Sequence, residues 1–163
     1  MEEVEGIAKI IEKKSIDALS LLKSNSIYFA HPINIYNTSY ETELLKNLEN
    51  LFPESNIENP NQKHHSENYH FWRDNSVSGM NYFLEVILPS EKIIGGVYLP
   101  FGDGMIGAGI FKEMKKLEEL KKPIYEYKNS KVAEEIKVLD ESRKLSVEET
   151  RERVYKKWVL KNI

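Results

Sequence analysis

Short runs of β-branched and aromatic residues alternate along this chain with longer segments whose apolar residues recur at helical spacing. The runs at residues 26–30, 93–99 and 124–127 have the length and composition of buried strands. Parallel strands need long crossover connections, and those crossovers are usually helices. The alternation therefore predicts an α/β fold, a three-layer α/β/α sandwich with a mostly parallel, flavodoxin- or Rossmann-like sheet.

The helices are predicted from the spacing of their apolar residues. They lie at residues 3–23, 40–52 and 110–120, with a further helical stretch at 69–88 that breaks near Ser78 and Gly79. Ser39 is expected to cap the second helix. The polar residues from 54 to 68 are expected to form a long surface loop with a short strand around Ile57.

Both ends of the chain extend this α/β core, which we place at residues 26–127. Residues 1–24 supply an N-terminal helix, and residues 128–163 supply an edge strand at 136–139 and a last helix. Ser146 begins a Ser-x-x-Glu capping pattern, and the buried face of that helix is assigned to Val147, Val154 and Trp158. A chain of 163 residues, 40% of them apolar, is long enough for one core, so we expect a single domain.

Composition excludes several classes of function. The formal net charge of −3 argues against a strong attraction to nucleic acid or to anionic membranes. The absence of cysteine excludes disulfides, thiol catalysis and cysteine-ligated zinc. The first residues are acidic, unlike a secretory signal, and no apolar segment approaches the length of a membrane span. We therefore expect a cytoplasmic protein.

Most of the eight glycines lie between residues 95 and 109, at the joint between a predicted strand and a predicted helix. In an open parallel sheet, ligands bind beyond the carboxyl ends of the strands, where helix N-termini point into the crevice. Gly107 and Gly109 allow backbone N–H groups to approach a sugar or phosphate, and Asp103 lies in the same loop. The alternative is that these glycines only turn a tight corner after a strand.

Glu113 is the acidic residue of this joint that we single out. On a helical wheel it lies roughly 70° from the middle of the apolar face of helix 110–120, so it flanks the core. A carboxylate in this position, close to the glycine-rich loop, projects toward the crevice. The alternative is an acid that is favoured there only by the helix dipole.

Three short motifs follow one another along the chain. Ile27-Tyr-Phe29 ends the first strand, Phe71-Trp-Arg-Asp74 follows, and Gly107-Ala-Gly-Ile-Phe-Lys-Glu113 precedes Lys122-Pro-Ile124. Together they resemble the nucleoside 2-deoxyribosyltransferase superfamily, which includes the deoxynucleoside 5′-monophosphate N-glycosidases. The resemblance covers residues 26–127 in outline, and Gly107 stands where that family commonly has Asp or Ser.

The resemblance implies cleavage of an N-glycosidic bond or deoxyribosyl transfer, without a cofactor. It implies that Glu113 is the nucleophile, that Tyr28 orients this carboxylate, and that Asp74 holds the sugar or passes a proton to the base. From the residues alone, Tyr28 is also explained as a buried strand aromatic, and Asp74 as a surface partner of Arg73. An active site requires Tyr28, Asp74 and Glu113 to meet in one cleft.

His64, His65 and His70 raise the alternative of a zinc site. Adjacent histidines in an extended polar loop are expected to be solvated, so we expect no metal. His31 follows the first strand, and we expect it to bind the substrate together with Gly107, Gly109 and Asp103. Three aromatic residues are open to stacking on a base or to packing in the core: Tyr36, Phe71 and Trp72.

Two functions are consistent with the sequence. One is an enzyme that cleaves or transfers the glycosidic bond of a nucleoside or nucleotide, and the other is a non-catalytic nucleoside- or nucleotide-binding sensor of the same family. In both, the partner is a small molecule, and neither nucleic acid nor a membrane is expected. A homodimer built through the terminal helices stays an open alternative.

Overall fold

The computed structural model describes residues 2–129 and 131–156 of the chain. The helices of this part are α1 (Glu2–Leu21), α2 (Ser39–Leu51), α3 (Lys63–Asn75), α4 (Ala108–Glu119) and α5 (Val147–Arg151). The strands are β1 (Ser26–Ala30), β2 (Asn56–Glu58), β3 (Ile93–Tyr98), β4 (Ile124–Lys128) and β5 (Val132–Ile136). Two π-helical segments (Tyr82–Ile87 and Glu152–Lys156) and two 3₁₀ turns (Ile33–Ile35 and Glu141–Arg143) complete the described elements.

One sheet holds all five of these strands in the order β2-β1-β3-β4-β5. The pairs of β1 with β2, β1 with β3 and β3 with β4 are parallel, and β5 runs antiparallel to β4. This arrangement confirms the predicted α/β fold with a mostly parallel sheet. The edge strand was expected at residues 136–139, but it begins at Val132, because Asn129 adopts a φ of 52° and turns the chain directly after β4.

Alternate residues of the central strands face two different cores, as the pleat of a strand requires. Ile27, Phe29 and Val97 pack with residues of α2 on one face. Tyr28, Ala30 and Tyr98 pack on the other face with residues of α1, α3, α4 and the first π-helical segment. Helices therefore cover both faces of the sheet, which gives three layers.

The segment from 54 to 68 is not the long surface loop that its polarity predicts. The short strand around Ile57 is present, but α3 begins at Lys63 and occupies residues 63–68 of the segment. His65, Asn68 and Trp72 share one buried face of α3. Because two of these three residues are polar, the helical periodicity does not appear in the pattern of apolar residues. The predicted break near Ser78 is confirmed, since α3 ends at Asn75.

Two predicted helix starts have different outcomes. Thr38 caps α2, not Ser39, because the Thr38 side chain accepts a hydrogen bond from the Glu41 N–H at 3.2 Å. The capping box at Ser146 is confirmed. In the last helix Val154 is buried as expected, whereas Val147 is exposed. Trp158 lies outside the described residues.

The longest described helix, α1, packs against α3 and the first π-helical segment, and its C-terminal part joins the core. Ala18 is buried, and so is Leu22 directly after the helix. Ile10, Ile16 and Leu21 are exposed, so the helix lies on the surface of the fold. Within the described chain, neither α1 nor any other helix combines the length and apolar character that a membrane crossing requires.

Gly95→Ala is expected to destabilise the sheet, because an added Cβ would lie 2.7 Å from the Pro123 carbonyl oxygen, a backbone atom that cannot rotate away. Overpacking of this kind typically costs about 1–3 kcal/mol. Gly102→Ala is the matched control, since nothing lies within 4 Å of an added Cβ there. Urea denaturation measures both variants, and equal stabilities would contradict the prediction.

Candidate functional site

A cavity of about 550 Å³ lies at the carboxyl ends of β1 and β3. The connection after β1 passes over one face of the sheet through α2, and the connection after β3 passes over the other through α4. Such a switch point leaves a crevice between the two connections. Five of the seven residues expected to be catalytic or to bind substrate line this cavity: Tyr28, His31, Gly107, Gly109 and Glu113.

Glu113 is a buried carboxyl group on the cavity wall. It lies on α4 beside Ile110 and Met114, which pack in the core. Its Oε2 accepts a hydrogen bond from the Tyr28 hydroxyl of β1. Burial raises the pKa of Glu113 to about 8, although the bond from Tyr28 acts in the opposite direction. Near neutral pH this carboxyl group therefore holds a proton for much of the time.

Tyr28 is fully enclosed, with Phe83 packed against its ring at a centroid distance of 6.1 Å. Burial raises the pKa of its hydroxyl well above the ordinary value, and the neighbouring Glu113 raises it further. The hydroxyl therefore keeps its proton and acts as a fixed donor to Glu113. This pairing joins β1 to α4 on the wall of the cavity.

His31 forms a second buried pair on the cavity wall. Its Nε2 lies 2.7 Å from Glu41 Oε2, and its Nδ1 lies 2.9 Å from the Phe29 carbonyl oxygen, which only accepts. Asn61 Nδ2 donates to both oxygens of Glu41 at 3.0 and 3.1 Å. Burial lowers the pKa of His31, although the bond to Glu41 acts against this. These contacts fix the imidazole in place.

Tyr36 lines the cavity next to His31, with the two ring centroids 4.7 Å apart. Burial raises the pKa of its hydroxyl, and the charges of Glu113 and Glu41 add to the effect. The other two aromatic residues that were open to base stacking do not line the cavity. Trp72 is buried in the core, and Phe71 lies under the ammonium group of Lys14 at 4.9 Å.

His65 was expected to be solvated in a loop, and this expectation is wrong. It lies on α3, is fully buried and lines the cavity. Its Nε2 is 2.7 Å from Glu58 Oε1, and its Nδ1 is 2.6 Å from the Tyr82 hydroxyl. His65 lies seven residues before Trp72, about two helical turns, and this spacing was the signal in the sequence for a shared buried face of α3. His70 also lines the cavity but is exposed.

Asp74 does not meet Tyr28 and Glu113, so the expected convergence of the three is wrong. Its side chain is 61% exposed, pairs with Arg73 at 3.1 Å and does not line the cavity. The reason is helical geometry. Nine residues separate Asp74 from His65, and at about 100° per residue the two lie on opposite faces of α3.

Asp103 also lies outside the cavity lining, although it was expected to bind the substrate. Both of its carboxylate oxygens accept hydrogen bonds from the Arg153 guanidinium, at 2.8 and 2.7 Å. These bonds, with one from the Met105 N–H, lower the pKa of Asp103 to about 2. Asp103 therefore fastens the glycine-rich loop to the C-terminal helical segment, which consists of α5 and the π-helical segment that follows it (residues 147–156).

The C-terminal helical segment forms part of the cavity wall, which the sequence did not reveal. Thr150 Oγ1 accepts a hydrogen bond at 2.9 Å from the N–H of Ala108, the first residue of α4. A Cβ on Gly107 would lie 3.3 Å from Thr150 Cγ2. Gly107 therefore allows Thr150 to approach, and both residues line the cavity.

Comparison with known proteins does not assign a family or a function to this cavity. No protein-family model, no curated protein and no solved structure matches the chain. The chemistry of the cavity is therefore argued from its own residues.

Glu113→Gln is expected to change how stability depends on pH. Between about pH 5 and pH 8 the unfolded chain has released the Glu113 proton and the folded chain keeps it, so the wild-type protein loses stability as pH rises. The variant lacks this loss, and its stability relative to wild type rises over that interval by an amount on the order of a few kcal/mol. Denaturation at several pH values measures the difference.

Glu119→Gln is the matched control for this experiment, because Glu119 is an exposed glutamate on the same helix. Its stability relative to wild type is expected to stay constant over the interval. A Glu113→Gln difference that is equally flat would show that Glu113 ionises normally in the folded protein.

Thr150→Val is expected to destabilise the protein by about 1–2 kcal/mol, because it removes the acceptor of the Ala108 N–H at almost constant volume. Thr42→Val is the control, since the Thr42 hydroxyl is exposed and makes only a long 3.4 Å bond to the Thr38 carbonyl oxygen. Urea denaturation compares the two. Equal stabilities would mean that the α4 N-terminus does not depend on Thr150.

Proposed function

We propose that this protein cleaves the N-glycosidic bond of a nucleoside or nucleotide, or transfers its sugar, with Glu113 as the nucleophile. The observation that supports the proposal is the buried carboxyl group of Glu113, held by the Tyr28 hydroxyl on the wall of a cavity at the carboxyl ends of parallel strands. Tyr28 and Glu113 are two of the three residues that the family resemblance assigns to catalysis. The third, Asp74, lies outside the cavity lining, so the proposed reaction does not use it.

Cleavage of the glycosidic bond leaves positive charge on C1′ of the sugar and negative charge on the departing base. The Glu113 carboxylate forms a bond to C1′ as the bond from C1′ to the base nitrogen breaks, and the base takes up a proton from solvent. Water then attacks C1′, breaks the bond to Glu113 and returns a proton to solvent, or a second base attacks C1′ instead, which makes the reaction a transfer. Burial of Glu113 favours this chemistry, because the carboxylate is poorly solvated and the developing positive charge attracts it strongly.

Tyr28 has a defined task in this proposal. Its hydroxyl donates to one carboxylate oxygen, Oε2, so Oε1 is left to face the sugar. The hydrogen bond also stabilises the ionised form of Glu113 against the effect of burial. Removal of the hydroxyl is therefore expected to raise the pKa of Glu113 further and to slow the reaction.

The test is incubation of the protein with nucleosides and with nucleoside 5′-monophosphates, with free base measured by chromatography. Glu113→Gln is expected to lower release at least about 100-fold, because the amide is a poor nucleophile. Glu119→Gln on the same helix serves as the control and is expected to retain the wild-type rate. Release that survives Glu113→Gln would refute the role of Glu113.

The pH dependence of the reaction separates two roles for Glu113. A nucleophile must be ionised, so kcat/KM is expected to rise with pH through an apparent pKa near 8 and then to level off. A fall in kcat/KM over the same interval would mean that Glu113 acts as a proton donor instead.

The position of Asp74 favours a second candidate function, a nucleoside- or nucleotide-binding protein without catalysis. The residue expected to hold the sugar or to protonate the base is exposed and outside the cavity lining. In this case calorimetry detects binding of a nucleoside or a 5′-monophosphate, and no free base appears from any of them.

A further inference from the structure

A cluster of metal-binding residue types lies beside the cavity, where β2 ends and α3 begins. Glu58 is the last residue of β2, and His64 and His65 are in the first turn of α3. One ligand atom from each of the three residues lies within 4.8 Å of the others. This is the position in an open α/β sheet at which loops leave the strands and ligands bind.

Two of the three residues are already held in a fixed orientation. His65 Nε2 lies 2.7 Å from Glu58 Oε1, and His65 Nδ1 lies 2.6 Å from the Tyr82 hydroxyl. Gln62 Nε2 donates to Glu58 Oε1 at 3.0 Å. Histidines that bind metals are usually held in this way, with one ring nitrogen on the metal and the other on a neighbouring polar group.

His64 supplies the independent observation. Its Nε2 is shielded from solvent and has no hydrogen-bond partner among the residues that the structure describes. A shielded nitrogen without a partner is unfavourable unless some group satisfies it. A bound metal ion would satisfy this nitrogen, because an imidazole nitrogen is a common metal ligand.

We propose that Glu58, His64 and His65 form a binding site for a zinc ion. Two imidazole nitrogens and one carboxylate oxygen are a common zinc ligand set, with water in the fourth position. Zinc ligands lie roughly 3.4 Å from one another in a tetrahedral site with bonds of about 2.1 Å. His65 Nε2 and Glu58 Oε1, now 2.7 Å apart, must therefore separate around the ion and give up their hydrogen bond, while any pair near the 4.8 Å limit of the cluster must close. His64 Nε2 has no hydrogen bond to lose in that movement.

The ligand set also indicates which ions are excluded. Calcium and magnesium bind six or more oxygen atoms, or keep much of their water, and this cluster offers a single carboxylate. Since His65 belongs both to the cluster and to the cavity wall, a bound ion would lie next to the cavity. The proposal does not depend on the proposed glycosidase activity, because metal binding is measured without substrate.

The test is calorimetric titration of zinc chloride into the full chain. The protein is produced without a histidine tag and is first freed of metal with a chelator. Wild-type protein is expected to bind a single ion, and His64→Ala to weaken binding at least about 10-fold, because one of three ligands is lost. His64 is half-buried, so this variant is expected to fold, which circular dichroism checks. Calcium and magnesium chloride are expected to give no binding heat.

His70→Ala is the matched control, since His70 is an exposed histidine on the same helix that does not belong to the cluster. Its zinc affinity is expected to stay within about two-fold of wild type. Glu58→Gln, which removes the charge at nearly constant shape, is expected to weaken zinc binding as His64→Ala does. The proposal is overturned if wild-type protein does not bind zinc, if His64→Ala binds it as wild type does, or if His70→Ala weakens it equally.

Discussion

The close packing of α4 against β3 sets the position of the candidate site. Gly96 has no side chain, and a Cβ at that position would overlap the Leu117 side chain of α4 and lie 3.2 Å from Met114 Cε. The helix therefore rests directly on the strand. Glu113, one turn before Leu117, is carried below the surface and meets Tyr28 of the neighbouring strand. The raised pKa of Glu113 follows from this burial.

The cavity wall is held by three buried pairs of a glutamate with a tyrosine or histidine. Tyr28 pairs with Glu113, and the side chains of His31 and His65 pair with Glu41 and Glu58. An ionisable group taken out of water is stable only when a partner satisfies it, so each pair restricts both of its members. The polar side chains of the wall are therefore held in one arrangement.

The glycine-rich joint has several functions in the folded chain. Gly95 and Gly96 let Pro123 and α4 approach the sheet, and Gly107 lets Thr150 reach the first N–H of α4. Gly104 has a φ of 87°, so there the turn itself requires glycine. The loop after β3 is thus held at Gly107 by α5 and at Asp103 by the π-helical turn that follows α5.

The sequence by itself determined the fold class and the central strands, because these depend on local periodicity. Glu113 was placed near the crevice by its position on the helical wheel beside the glycine-rich joint, and Tyr28 was assigned to the site through the family resemblance; both line the cavity. The sequence failed for Asp74 and for the loop at 54–68, since the buried face of α3 includes His65 and Asn68, whose polarity hides the helical period.

Only the tertiary structure decided which distant residues meet. The pairs of His31 with Glu41 and of His65 with Glu58, and the contact of Thr150 with Ala108, join residues on different elements. No local pattern marks such partners, because the free energy that stabilises them comes from shared burial and is absent until the sheet and its helices have packed together.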